Sequence, residues 1–271
     1  MNTQTTTTDY RTPTPNTVEF KVDIRFHTDD VDILFAGRDT TRHPRFIPRY
    51  TVVARALNNI HMELLADNPF AENVLIELDI RLAQLVGIGQ RRIERCQEIA
   101  AQAEEEEGLS VQPMVRQQPY VYGPIATYNK YGRYLIRVYG RTDLAIRWLR
   151  TINAVSLLES RLTEQWIRQL LSKHRGVNEV ILWYSKRLRH VTREDVRNGS
   201  DKARELAESL GRQVATEVLN KTRRCKFYSI SCFADAWHQG TPIVPEEDES
   251  ETPEFSDEEL ERPVDVTQVY G

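Results

Sequence analysis

"KYGRYLIRVYGRTD" spans residues 130–143. Aliphatic and aromatic residues alternate with arginine across it. Read with a period of two, Arg133 and Arg137 share a face with Leu135 and Tyr139, while Tyr134, Ile136 and Val138 share the other. That pattern predicts a short strand over about 132–139, with one basic face and one packing face. Thr142 then stands as an N-cap with Asp143 in the first turn, opening a helix over about 142–158 whose stripe is Leu144, Trp148, Leu149, Ile152 and Val155. After the turn at "LESRL", Thr163 caps a second helix over about 163–175, ending near Gly176.

A lone strand is an unprotected edge. Paired antiparallel with the same strand of a second copy, it makes a ribbon narrow enough for the major groove of B-DNA. Arg133 and Arg137 then face the bases, flanked by Lys130 and Arg141. The start of the second helix, at Ser160, Arg161 and Thr163, offers free N–H groups to a backbone phosphate. This is a ribbon-helix-helix arrangement. The fold class expected is mainly α with a short β-ribbon, the DNA-binding unit being embedded in a larger helical domain.

A rival strand lies earlier. "VEFKVDIRFHT" (18–28) alternates cleanly, with Val18, Phe20, Val22, Ile24 and Phe26 on one face and Glu19, Lys21, Asp23 and Arg25 on the other. Lys21 and Arg25 would be the readers of that alternative ribbon. Asp23 between them opposes phosphate, and a long loop with Gly37, Pro44 and Pro48 delays the next clear helix, so it ranks second. A plainer alternative makes 132–139 a solvent-exposed sheet edge, paired with 18–28 of the same chain.

The charge supports a polyanionic partner. The net charge is only −4. Residues 130–226, however, hold 22 Lys/Arg against 10 Asp/Glu, a net of +12, whereas 246–271 hold 1 against 11, a net of −10. A basic segment beside an acidic tail points first to nucleic acid. The competing view is a solvated helical surface. The tail is expected to be disordered and to compete in part with DNA phosphates. Residues 1–17 read as a flexible arm without an apolar core, not a secretory signal. The domain expected between them, 18–240, is a single helical one, followed by the acidic tail 241–271.

Helical spacing runs through Val52, Val53, Ala56, Leu57, Ile60, Leu64 and Leu65, and "DNP" at 67–69 stops it. One long helical pattern covers 70–107, with "VGIG" at 86–89 as a kink and "EEEEG" as its end. Three prolines and a glycine in 109–129 argue against helix there. Ser200 starts a further helix.

Catalytic signatures are missing. There is no Walker A, HExxH, GxSxG or full GxGxxG. "DDVD" at 29–32 reads as acids opening a helix rather than a metal cluster. Cys96, Cys225 and Cys232 are sparse and odd in number, as in a reducing cytoplasm. His190-Val-Thr-Arg193, with Tyr228 downstream, is a near miss for the phosphate-holding pair and nucleophile of tyrosine recombinases. The His or Trp that should precede the tyrosine is not there, and a basic turn before the "TREDV" helix start explains it better. No enzyme activity, cofactor, metal or membrane span is expected.

Four stretches carry a resemblance: "GRDTTRHPRF" (37–46), "DNPFAENVLIELD" (67–79), "QQPYVYGPIATYNKYGRYLIRVY" (117–139) and the helices to "NKTRRCKF" (220–227). Over roughly 18–228 the chain resembles AcaB-like proteins of integrating conjugative elements and conjugative plasmids. The resemblance implies a ribbon-helix-helix fold, binding to promoter DNA and transcriptional activation of conjugative transfer genes. The partners expected are double-stranded DNA, a second copy of the chain to pair the ribbon strand, and the transcription machinery, with the sparse cysteines placing the protein in the cytoplasm. The alternative is a structural or adaptor protein of the conjugation machinery.

Overall fold

The computed structural model describes residues 20–38, 46–127 and 129–225. The N-terminal arm, Tyr228 and the acidic tail lie outside them. In chain order the described elements are β1 (Phe20–Phe26), α1 (Asp29–Ala36), α2 (Tyr50–Leu65), α3 (Pro69–Glu107), β2 (Tyr120–Thr127), α4 (Lys130–Ala154), α5 (Ser160–Arg187), α6 (Arg193–Arg197), α7 (Asp201–Leu210) and α8 (Thr216–Leu219). The fold is mainly helical with one two-stranded antiparallel sheet, as expected.

The sheet is not where the opening stretch placed it. Residues 132–139 lie inside α4, which replaces both the predicted strand and the predicted helix at 142–158. Burial explains why. Tyr134, Leu135, Ile136, Val138 and Tyr139 are all buried, Leu135 and Tyr139 completely. A strand with one exposed face cannot bury residues of both parities, whereas a central helix packed on most sides can. Asn129 opens α4 early by accepting the Gly132 N–H at 2.8 Å on its side chain. Thr142 is then no cap: its hydroxyl donates to the Val138 carbonyl one turn back.

β1 pairs with β2 of the same chain, in the register Ile24–Tyr122, Arg25–Val121 and Phe26–Tyr120. Between Val22 and Ile24 the register slips, so that Gly123 and Pro124 of β2 stand against Asp23 alone. A Cβ on Gly123 would lie 1.9 Å from Asp23 Oδ1, so a larger residue there must displace the exposed Asp23 side chain. The acids of "DDVD" do open α1. Asp30 pairs with Arg150 at 2.7 Å, and Asp32 accepts from the Tyr122 hydroxyl.

An aromatic cluster ties these elements together. Phe35 of α1 stacks on Tyr50 of α2 with centroids 4.7 Å apart, and meets Tyr139 of α4 edge-on at 5.2 Å. Phe26 and Tyr122 bring in both strands. α5 runs antiparallel to α4: Asn178 donates to the Tyr139 hydroxyl at 2.9 Å, and His174 lies beside Thr142 and over the Tyr139 ring. α5 continues through Gly176 to Arg187. α3 is likewise unbroken through "VGIG". Gly89 there lies under the Arg141 stem, with a Cβ position 3.9 Å from Arg141 Cγ.

His174 is fully buried, and burial pushes its pKa down to about 3. The unfolded chain takes up a proton near pH 6.5, whereas the folded protein does not. The folded state therefore loses stability as pH falls below about 6.5, by about 1.4 kcal/mol per pH unit until about pH 3. His174→Met should flatten the fall in melting temperature between pH 6 and pH 4 relative to wild type. Parallel curves for the two proteins would show that His174 is protonated in the fold.

Candidate nucleic-acid interface

Lys130, Arg133, Arg137 and Arg141 recur every three or four residues on α4, so they form one stripe about 16 Å long. Asp143 borders the stripe on one side; its carboxylate accepts the N–H groups of His27 and Thr28, at the end of β1. Burial raises the Asp143 carboxyl, and these donors pull it back. On the other side Tyr134 and Arg141 pack towards α3. The stripe therefore lies between β1 and α3. Arg137 is exposed, with no hydrogen bond or ion pair among the described residues. Arg133 and Arg141 are half-buried. The spacing that suggested a strand with two arginines is thus a helical repeat of three, Arg133, Arg137 and Arg141.

The residues expected at the second helix stand elsewhere. About 25 Å of helix separates Arg137 from the end of α4, beyond which α5 begins. Ser160 and Arg161 are exposed there, but Thr163 is buried and its hydroxyl donates to the Glu159 carbonyl, inside the helix. Glu159, not Thr163, is the N-cap. The predicted set is therefore split between the two ends of α4.

The alternative strand residues fare differently. β1 forms as read, with Ile24 and Phe26 buried and Asp23 and Arg25 exposed. Arg25 stands beside Val121, which is 61% exposed, and Lys21 pairs in register with Ala126. The two strands make a ribbon within one chain whose outer face carries alternate residues of β1. The sequence reading missed β2 because of its proline and glycine. Tyr120 and Tyr122, set either side of Val121, were the signal.

Much of the basic segment serves the fold. Glu72, fully buried at the start of α3, lies between Arg193 and Arg224, the latter 2.5 Å from Glu72 Oε1. Arg212 pairs with Glu77 at 2.7 Å, and Lys221 with Asp67 at 3.3 Å. Arg193, the arginine of the recombinase near miss, is 4% exposed and committed to Glu72 and Asp67. The net of +12 is therefore not one surface. Its C-terminal part neutralises acids of α3 and of the turn before it, which leaves α4 as the outward cationic element nearest the ribbon.

The family model of the transcriptional regulator AcaB matches residues 15–230. The chain belongs to the AcaB family. As a member of the AcaB family it is a transcriptional regulator. The match spans every described element from β1 to α8. A crystal structure of selenomethionine-containing AcaB from uropathogenic E. coli is similar at 13% identity and a TM-score of 0.46, covering 76% of this chain and 99% of that one. No curated protein matches. Among the described residues, no helix is long and apolar enough to cross a membrane.

Proposed function

We propose that this AcaB-family protein is a sequence-specific DNA-binding activator of conjugative transfer genes, which presents the β1–β2 ribbon to the major groove. The observation that carries the reading is the exposed outer face of that ribbon, with Arg25 on it. Two strands about 5 Å apart fit a groove about 12 Å wide. Arg25 and Lys21 are the base-reading residues. A guanidinium can fork onto guanine O6 and N7.

The α4 stripe has a different role. α4 is a packed central helix, flanked by β1 and α3, and cannot protrude into a groove. Lys130, Arg133, Arg137 and Arg141 instead take phosphates beside the ribbon, which fixes the register of the protein on the duplex. The protein acts in the cytoplasm as a homodimer on promoter DNA and contacts the transcription machinery there. The dimer no longer follows from an unpaired ribbon strand, since β1 has its partner in the chain. Exposed apolar side chains on α2 support it instead.

Arg25→Ala should weaken binding to the cognate promoter by about 1–3 kcal/mol and relax specificity at one base pair. Arg137→Ala should weaken binding to all sequences alike and lower the slope of log affinity against log salt by about 1. Titrations of cognate and scrambled duplexes at several salt concentrations separate the two. Wild-type promoter binding by Arg25→Ala and Lys21→Ala would remove the ribbon as the reading element.

A further inference from the structure

Ten large apolar side chains are exposed among the described residues, and four gather at one helix. Phe46 just precedes α2 and is 59% exposed; Val52, Met62 and Leu65 on α2 are 46%, 49% and 57% exposed. Single exposed apolar residues are ordinary, whereas a contiguous set marks a contact surface. Val52, Arg55, Asn59, Met62 and Ala66 follow one another at spacings of three and four. They therefore lie on one face of the helix, and all five are exposed.

We propose that this face of α2 is the contact between two copies of the chain, packed antiparallel about a two-fold axis near Asn59. The proposal rests on the homodimer put forward above and gives it a surface. A two-fold contact must be self-complementary, because each residue meets the symmetry mate of its counterpart. The α2 face meets that condition. A residue before Asn59 meets one about as far after it, so Met62 lies over the aliphatic stem of Arg55 of the second copy. Val52 then meets Ala66 of the second copy, with Leu65 beside it. Arg55 meets Glu63, and Asn59 meets itself, where an amide supplies both donor and acceptor.

The charges agree with this pairing. Arg55 is exposed and has no hydrogen bond or ion pair among the described residues. Glu63 accepts from Asn68 at 3.1 Å and lies 3.6 Å from His190, and an ionised carboxylate has acceptor sites left after that. Each Arg55–Glu63 pair occurs twice across the axis. An unrelated partner would need no such symmetry in the stripe.

The test is sedimentation of the full chain without DNA, with melting temperatures read alongside. Wild type should be a dimer at micromolar concentration. Val52→Glu with Met62→Glu should be a folded monomer, and Val52→Ser with Met62→Ser gives the same reading if the glutamates impair folding. Arg55→Glu should weaken dimerisation more than about tenfold, and adding Glu63→Arg should restore most of it. A monomeric wild type, or a dimer untouched by the Val52 and Met62 changes, would overturn the proposal. So would failure of the charge exchange to rescue a folded double variant. Promoter binding of the same variants is measured separately, so loss of the α2 contact and failure of DNA recognition are distinguishable.

Discussion

Glu72→Leu destabilises the protein by about 3–5 kcal/mol, because it removes the buried carboxylate from a buried guanidinium and leaves it only the half-exposed Asp67 at 3.4 Å. Glu72 is fully buried and Arg193 is 4% exposed, so neither charge can turn to water. Arg224 and the Cys225 N–H complete the shell around the Glu72 carboxylate. For a protein of this size the melting temperature falls by roughly 10 °C. The reverse experiment is as informative. Glu72→Leu combined with Arg193→Met removes both buried charges, and Arg224, half-exposed, can turn outward. That double variant should recover much of the loss, since an apolar pair often replaces a buried ion pair at little cost. Equal melting temperatures for single and double variants would mean that the segment carrying Arg193 is held by packing and not by charge.

Leu135→Asp should prevent folding altogether. Leu135 is completely buried in α4, so the change removes a core side chain, at about 2–5 kcal/mol, and adds a carboxylate without a partner, at several more. This substitution separates the two readings of the opening stretch. On a half-exposed strand Leu135 would sit with Arg133 and Arg137 on the outer face, and aspartate there would be harmless. Arg137→Asp is the companion variant, being two residues away but exposed. It should fold normally and fail only in DNA binding. Soluble, normally melting Leu135→Asp protein would place that side chain outside the core.

The alternation in 130–143 was misleading for an identifiable reason. Residues 134–139 are apolar apart from Arg137, so a period of two and a helix buried on most sides fit them equally well. The wider spacing of Arg133, Arg137 and Arg141 is what separates the two. Short apolar runs are ambiguous in this way, whereas β1 is not. There apolar and polar residues alternate, Ile24 and Phe26 pack while Asp23 and Arg25 stay wet, and the strand forms as read.

By itself the sequence determined those features that depend on neighbours along the chain. Amphipathic spacing set α2, and the Asn68 cap and the terminal Gly108 set the limits of α3. The alternation set β1, and composition set a mainly helical fold with its charge divided between segments. Only the tertiary structure decided what pairs with β1, since β2 lies about a hundred residues on and carries the proline and glycine that argue against a strand until an edge is there to receive it. Tertiary packing also decided which arginines face water. Arg193 and Arg137 are indistinguishable as letters, yet the first faces Glu72 across 121 residues of chain and the second faces solvent. Formal charge is a local property of the chain. Surface potential depends on which charges the fold has already paired.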